Sequence, residues 1–144
     1  MNLFGVLDIS GSALKAERQR AEVVAANLAN ADTTRTPEGG PYRRKHVVFK
    51  GGVQGFGNVL QTRLGGQSAE GVSVSAVVDD TAPPLRRYEP GHPDADAEGY
   101  VSYPAINPVE EMVDLMGATR AYDLNASAVT ATKQMIQQSL EILR

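Results

Sequence analysis

Proline and glycine are concentrated in the middle of this chain. All eight prolines lie between Pro37 and Pro108, and most of the glycines lie between Gly39 and Gly99. Both residues interrupt helices, whereas the two ends are rich in Ala, Leu, Gln, Glu and Arg, which favour helices. The distribution predicts an α+β fold in three parts: a helix within residues 1–36, a small β-rich domain over 37–106, and a helix within 107–144.

Apolar residues recur at alternating steps of three and four along both ends, a spacing typical of helices that pair along a seam. The predicted seam positions of the first helix are Leu3, Leu7, Leu14, Ala21, Val24 and Leu28. Those of the last helix are Met112, Leu115, Tyr122, Ala126, Val129, Ile136, Leu140 and Leu143. We therefore expect the two helices to pair as a coiled-coil-like hairpin.

Other apolar residues lie off these seams and have no predicted cover. Examples are Phe4, Ile9, Ala16 and Val23 on the first helix and Val113, Met116, Leu124 and Met135 on the last. Uncovered apolar surface on a helix usually indicates that another chain covers it. The alternative is that the central domain folds back over it. Because the same steps also include small or polar residues, we expect the pair alone to be marginally stable. These residues are Ser10, Glu17, Ala21, Thr119, Ala126 and Lys133.

Local signals mark where the elements begin and end. Asn107 followed by Pro108 predicts an N-cap and first turn for the last helix, and Glu110 and Glu111 suit the positive end of the helix dipole. Alternating apolar residues predict a strand over 72–79, and weaker patterns predict strands over 42–50, 59–64, 85–89 and 100–103.

Composition excludes several chemistries. The chain has no cysteine, and its formal net charge of −3 gives no overall field for nucleic acid. No apolar run is long enough to cross a membrane, and no basic residue precedes Lys15, so we expect neither membrane insertion nor a cleaved secretory signal.

The candidate ligand sites each have a simpler interpretation. Asp94, Asp96 and Gly99 imitate the start of a calcium loop, but Ala105 stands where the bidentate glutamate belongs, which favours a turn. The glycine-rich segment 51–57 lacks the Lys-Ser/Thr of a phosphate loop. The basic clusters at 43–46 and 86–87 fit a solvated face or an acidic partner. We expect no metal, cofactor or small-molecule substrate.

Catalysis has little support in the sequence. His46 and His92 are the available near-neutral bases, and neither lies in a known nucleophile motif. An enzyme interpretation would need a pocket that joins His92 to Asp94 or Asp96. The leading alternative is a soluble binding module in which the helices form a self-contained coiled coil and the β-rich domain captures a ligand through its glycine loops and residues 43–46.

Asn27 and Asn30 lie three residues apart near the end of the first predicted helix. One interpretation is that their amides cap the last carbonyls of the helix. The other is that they fix the register against a neighbouring helix, because an amide both donates and accepts. The residues alone leave both interpretations open.

Three blocks resemble the bacterial flagellar rod and hook family. They are the segment 26–33 around Asn27 and Asn30, the loop 33–45 with Pro37, Gly39, Gly40, Tyr42 and Arg43, and the block 88–101 with Tyr88, Gly91, His92, Asp94, Asp96, Gly99 and Tyr100. Together with matching segments in the last helix, they resemble the proximal-rod members of that family most.

The resemblance implies a structural subunit of the proximal rod, which crosses the periplasm as part of the drive shaft. Its implied partners are copies of itself, other rod proteins, and the export-gate and base components of the basal body. It implies export by the flagellar type III apparatus and ends that become ordered on assembly. We further hypothesise that an export-recognition element is formed by Leu3, Phe4, Val6, Leu7 and Ile9.

Overall fold

The computed structural model describes residues 3–52 and 71–142. Two long helices flank four strands in the order α1 (Leu3–Ala29), β1 (Lys45–Gly51), β2 (Val72–Asp79), β3 (Leu85–Tyr88), β4 (Tyr100–Tyr103) and α2 (Pro108–Ile142). The predicted α+β fold class is confirmed. The predicted strand at 59–64, most of the glycine-rich segment 51–57 and the seam residue Leu143 lie outside the described residues.

The start of α2 follows the local signals in the sequence. The Val109 N–H donates to Asn107 Oδ1 at 3.1 Å, and the Glu111 N–H donates to the Asn107 carbonyl at 3.1 Å. Asn107 is thus the predicted N-cap, and Pro108 occupies the first helical position, where its missing N–H costs no intrahelical bond.

The helices α1 and α2 pack along each other in antiparallel directions. Asn27, near the end of α1, contacts Glu111 in the first turn of α2, and Arg20, further back along α1, contacts Asp114 further along α2. This pairing forms the most extensive packed surface in the described part of the molecule.

The buried face of α2 differs from the predicted seam at several positions. Glu111, Ala118 and Thr132 are buried, whereas Met112, Tyr122 and Leu140 are exposed. The prediction followed apolar side chains and therefore chose Met112 over its charged neighbour Glu111. The seam forms around small and polar side chains instead, because the buried glutamate is paired with an arginine.

The strands form two separate antiparallel ribbons. In the β1/β2 ribbon, Lys45 pairs with Asp79 at one end and Gly51 with Val72 at the other, with an irregularity at Val48/Phe49. In the β3/β4 ribbon, Leu85 pairs with Tyr103. The observed bounds of β2 and β4 match the predictions, while β1 begins three residues later than predicted.

The β1/β2 ribbon packs on α1. It covers one apolar residue that lay off the predicted seam, since Ala16 is buried and lines a shallow groove with Val72 and Val74. The alternative prediction, that the central domain folds back over uncovered apolar residues, is therefore confirmed for this part of α1. On α2, by contrast, Val113, Met116 and Leu124 remain exposed.

The apolar core is small. Among the described residues, its buried members are Ala16, Val24, Val101, Ile106 and Ala118. None of these side chains is aromatic, so the burial of apolar area that stabilises larger domains is limited here.

Candidate functional site

Asn27 lies where α1, β1 and α2 meet, and it is 1% exposed. Its Nδ2 donates to the Lys45 carbonyl at 2.9 Å and to Glu111 Oε2 at 3.0 Å. Its Oδ1 accepts the Lys45 N–H at 2.9 Å and the Tyr42 hydroxyl at 3.2 Å. All four hydrogen-bonding positions of the amide are thus used, which ties three elements to a single side chain.

Asn27 and its hydrogen-bond partners Tyr42, Lys45 and Glu111 are called the polar junction below. Glu111 connects this junction to a chain of ion pairs. Its carboxylate is 1% exposed, and its Oε1 lies 2.5 Å from an Arg44 nitrogen. Arg44 also approaches Asp114 at 3.8 Å, and Arg20 contacts the other Asp114 oxygen at 3.5 Å. Because a buried charge is costly without partners, the Arg44 contact is what allows a glutamate at this position.

The surroundings of Tyr42 in the junction change the pKa of its hydroxyl. Burial raises the pKa of its hydroxyl above the ordinary value of 10.0, and the nearby carboxylates of Asp79 and Glu111 raise the pKa further. The neutral phenol is therefore favoured, and it donates its proton to the Asn27 amide oxygen.

The two interpretations of the paired asparagines each apply to one residue. Asn30 Nδ2 donates to the Ala26 carbonyl at 2.9 Å, which is the capping role. Asn27 fixes register against neighbouring elements. Glu110 and Glu111 both lie in the first turn of α2, as predicted. Glu110 is exposed and accepts from Asn107 Nδ2 at 3.3 Å, whereas Glu111 is buried.

The acidic partner of the first basic cluster lies within the chain. Arg44 is held by Glu111, while its neighbour Arg43 is exposed. In the second cluster, Arg86 lies 5.0 Å from the Tyr100 ring centroid and pairs with Asp96 at 2.6 Å, and Arg87 lies 4.9 Å from the Tyr103 ring centroid. These guanidinium groups stabilise the β3/β4 ribbon through charge and ring contacts.

The loop 33–42 lies within the second family-like block and contacts the third block at Asp94. Thr34 Oγ1 donates to Asp94 Oδ2 at 2.8 Å, and Arg35 contacts the other Asp94 oxygen at 3.6 Å. The loop closes through consecutive glycines, Gly39 and Gly40, whose φ angles of 89° and 78° suit residues without a Cβ atom.

The aspartate carboxylates of the acidic turn at 94–99 are bound by other groups of the same chain. Asp96 Oδ1 accepts the Tyr100 N–H at 2.8 Å and the Glu98 N–H at 2.9 Å. The Tyr100 N–H, more than the Arg86 contact, holds the pKa of the Asp96 carboxyl below its ordinary value of 3.8. Asp94 contacts Thr34 and Arg35 instead. The two carboxylates therefore have separate partners within the turn.

The remaining family-like residues cluster around the same turn. Tyr88 packs edge-on against Tyr100 at 5.4 Å, and His92 Nδ1 accepts the Asp94 N–H at 3.1 Å. Gly99 has φ 83° and lies so close to Tyr88 that an added Cβ would be 2.9 Å from the ring. Pro37 and Gly91 are exposed in the loops.

A second candidate surface lies on α2, on the side turned away from α1. Val109, Met112, Val113 and Met116 follow a spacing of three and four residues and are all exposed, with Met116 at 58%. Leu124, two turns further along, is 72% exposed. This set is called the outer face of α2 below. A contiguous apolar patch of this kind usually marks an interaction surface.

The other predicted seam and export residues have varied exposure. Phe4 and Ile9 are exposed on α1, and Val24 is buried. The remaining described seam and export residues are partly buried: Leu3, Val6, Leu7, Leu14, Ala21, Leu28, Leu115, Ala126, Val129 and Ile136.

Comparison with known proteins identifies the class of proteins to which this chain belongs. Residues 7–35 match a family model described as flagella basal body rod protein. Residues 97–142 match a model described as flagellar basal body rod FlgEFG protein C-terminal. The matched segments contain most of α1 and all of α2, so the class is that of flagellar basal-body rod proteins.

Full-length relatives narrow the class to one family. The flagellar basal-body rod protein FlgC of Bacillus subtilis is 43% identical, with 99% of each chain covered. FlgC of Salmonella typhimurium is 42% identical over 99% of this chain and 98% of the relative, and FlgC of Borreliella burgdorferi is 38% identical over 100% and 99%. The chain belongs to the FlgC family of flagellar basal-body rod proteins, which confirms the resemblance seen in the sequence.

Within residues 3–52 and 71–142, neither helix has an apolar stretch that could cross a membrane.

Proposed function

We propose that this chain is a non-enzymatic structural subunit of the proximal rod of the flagellar basal body. In this proposal it assembles with copies of itself and with other rod proteins into the shaft that transmits torque. The observation that carries the proposal is the outer face of α2, which is apolar and exposed although the opposite face already packs on α1.

A helix with two packing faces needs a neighbour on each side. Residues two apart in an α-helix point in nearly opposite directions, so Met116 faces away while Ala118 packs inward. In a head-to-tail assembly, different surfaces of successive subunits meet and the contacts repeat along the filament. Such an arrangement would cover the outer face of α2 in every interior subunit.

We place the helices in the inner layer of the rod and residues 37–106 in an outer layer, with 1–36 and 107–144 as the two halves of the inner domain. The pairing of α1 with α2 supports this division. The small and polar character of their shared face supports a pair that is marginal until neighbours cover its other side.

The absence of catalysis is part of the proposal. The two histidines that the sequence offered for catalysis make structural contacts: His46 Nε2 lies 3.2 Å from Asp80, and His92 accepts the Asp94 N–H. The function then depends on stiffness, which comes from packed helices.

We also propose that the chain is exported by the flagellar type III apparatus and that it contacts the export-gate and base components of the basal body. The support for both is the apolar start of α1, where Phe4 is 64% exposed. Phe4→Ser should lower secretion of the chain in cells that cannot assemble rods, because it removes an apolar recognition side chain. Secretion equal to that of the unchanged chain would leave this segment with a packing role alone.

The central test places one charge on the outer face of α2. Met116→Asp should prevent rod assembly, because it would bury an unpaired carboxylate between subunits. Met116→Leu is the matched control, since it keeps a large apolar side chain at the same exposed position. Rods and motility should be lost with Met116→Asp and retained with Met116→Leu. Normal rods with Met116→Asp would refute the proposal.

A further inference from the structure

The β1/β2 ribbon is attached to α1 at both of its ends. At one end, the Lys45 N–H and carbonyl bond to the Asn27 amide, which makes the pair of hydrogen bonds that a third strand would make. At the other end, Ser12 Oγ accepts the Val72 N–H at 3.0 Å. Lys45 and Val72 lie in opposite end pairs of the β1/β2 ladder.

The spacing of the two attachments matches the length of the ribbon. Asn27 and Ser12 are fifteen residues apart on α1, which corresponds to roughly 22 Å of helix. Lys45 and Gly51 are six residues apart on β1, which corresponds to roughly 20 Å of strand. The ribbon therefore lies along α1 with one attachment near each end.

The second attachment depends on the absence of a side chain at Gly71. A Cβ atom added there would overlap Ser12 Oγ and lie 3.0 Å from Ser12 Cβ. The Ser12 hydroxyl is also oriented by its own helix, because it donates to the Ile9 carbonyl at 2.7 Å and so leaves its oxygen free to accept from Val72. Gly71 thus allows the strand to approach the helix closely.

We propose that Asn27 and Ser12 are positioning residues that hold the β1/β2 ribbon rigidly along α1, with Gly71 permitting the second attachment. A two-stranded ribbon is marginally stable alone, so attachment at one end would leave it free to pivot about that end. With both ends fixed, the ribbon and the helix pair move as one body. Under the proposed function, on which this last step rests, the inner and outer layers of the rod would then turn together.

Hydrogen exchange on the full, unassembled chain tests each attachment separately. Ser12→Ala and Gly71→Ala should each speed exchange at the Val72 amide by about fivefold, the loss expected for one hydrogen bond, and leave the Lys45 amide unchanged. Asn27→Ala should do the reverse. Because Ser12→Ala and Gly71→Ala disrupt the same contact, combining them should add little at Val72.

Matched controls separate attachment from general loss of stability. Ser139→Ala removes a hydroxyl that donates to its own helix in the same way but has no strand partner among the described contacts. Gly51→Ala adds a Cβ at the residue paired with Val72, where no atom lies within 4 Å. Asn30→Ala removes a capping amide. All three should leave exchange at Lys45 and Val72 unchanged.

Distances between spin labels test the rigid-body claim. The chain has no cysteine, so cysteines at Ala25 and Lys50 can carry one label on α1 and one on the far end of the ribbon. The distance distribution should be narrow in the otherwise unchanged chain, broader with Ser12→Ala, and broadest with Asn27→Ala and Ser12→Ala together.

Two results would overturn the inference: unchanged Val72 exchange in both Ser12→Ala and Gly71→Ala, or a narrow distance distribution in the variant without either attachment. Both measurements use unassembled protein. They can therefore fail while the Met116→Asp assembly test succeeds, and the reverse also holds.

Discussion

The two faces of α2 reverse the usual arrangement of a surface helix. The face that packs inside the subunit contains Glu111, Ala118 and Thr132, whereas the outward face carries Val113 and Met116. A surface helix of a monomeric protein normally turns its large apolar residues inward and its charged residues outward.

The inner and outer faces of α2 therefore have different roles. The inner face uses hydrogen bonds and ion pairs, which define a single register for α1 and α2 but add little net stability. The outer face keeps the side chains with the largest potential for apolar burial. In the account proposed here, the subunit specifies its shape alone and gains most of its stability from its neighbours.

The largest effect is expected from removing the buried charge on the inner face. Glu111→Ala should lower the free energy of unfolding by about 3 kcal/mol, because it removes the nearest carboxylate partner of Arg44 and one acceptor of the buried Asn27 amide. Urea unfolding of the full chain measures this. Glu110→Ala is the control and should change the value by less than about 0.5 kcal/mol. Equal effects from the two variants would show that the inner face does not depend on the ion pair.

A smaller effect is expected from filling the inner face with apolar volume. Ala118 is 0% exposed, so Ala118→Leu should destabilise the chain by about 1–3 kcal/mol through overpacking. The neighbouring Gly117→Ala should instead stabilise the helix by up to about 1 kcal/mol, because an added Cβ meets no atom within 4 Å there. Thermal unfolding distinguishes the two. A stabilising Ala118→Leu would mean that the inner face has room for large side chains.

The smallest effect is a pH dependence at the polar junction. The raised pKa of Tyr42 means that its contribution to stability is complete below pH 10 and is lost as pH rises through the higher pKa of the folded chain. Tyr42→Phe should therefore cost about 1 kcal/mol at pH 7, for the lost hydrogen bond. The difference from the unchanged chain should shrink above pH 10.

Tyr88→Phe is the control for this titration, since Tyr88 is exposed and lies outside the junction. Unfolding curves at pH 7, 9 and 11 provide the measurement. A gap between Tyr42→Phe and the unchanged chain that stays constant over this range would contradict the assigned contact.

Sequence reasoning succeeded where the signal was local. Asn107 and Pro108 marked the start of α2, and the alternation over 72–79 marked β2, because caps and strand periodicity depend on neighbouring residues. The class of protein also followed from short blocks around Asn27, Gly39 and Asp94.

The polar junction could not be predicted, because its partners are distant in sequence. Asn27 and Glu111 are 84 residues apart, and Ser12 and Val72 are 60 apart. Glutamate is rarely buried unless it is paired, so a pattern based on hydropathy places Glu111 outside. The same preference moved the predicted seam of α2 to Met112.

The most direct test of the account is the accessibility of the outer face of α2 before and after assembly. Because the chain has no cysteine, Met116→Cys creates a single thiol whose labelling rate can be measured in the unassembled subunit and in isolated rods. The account predicts rapid labelling in the subunit and strong protection in rods, while Ala118→Cys is protected in both. Equal, rapid labelling of Met116→Cys in rods and in the free subunit would contradict it.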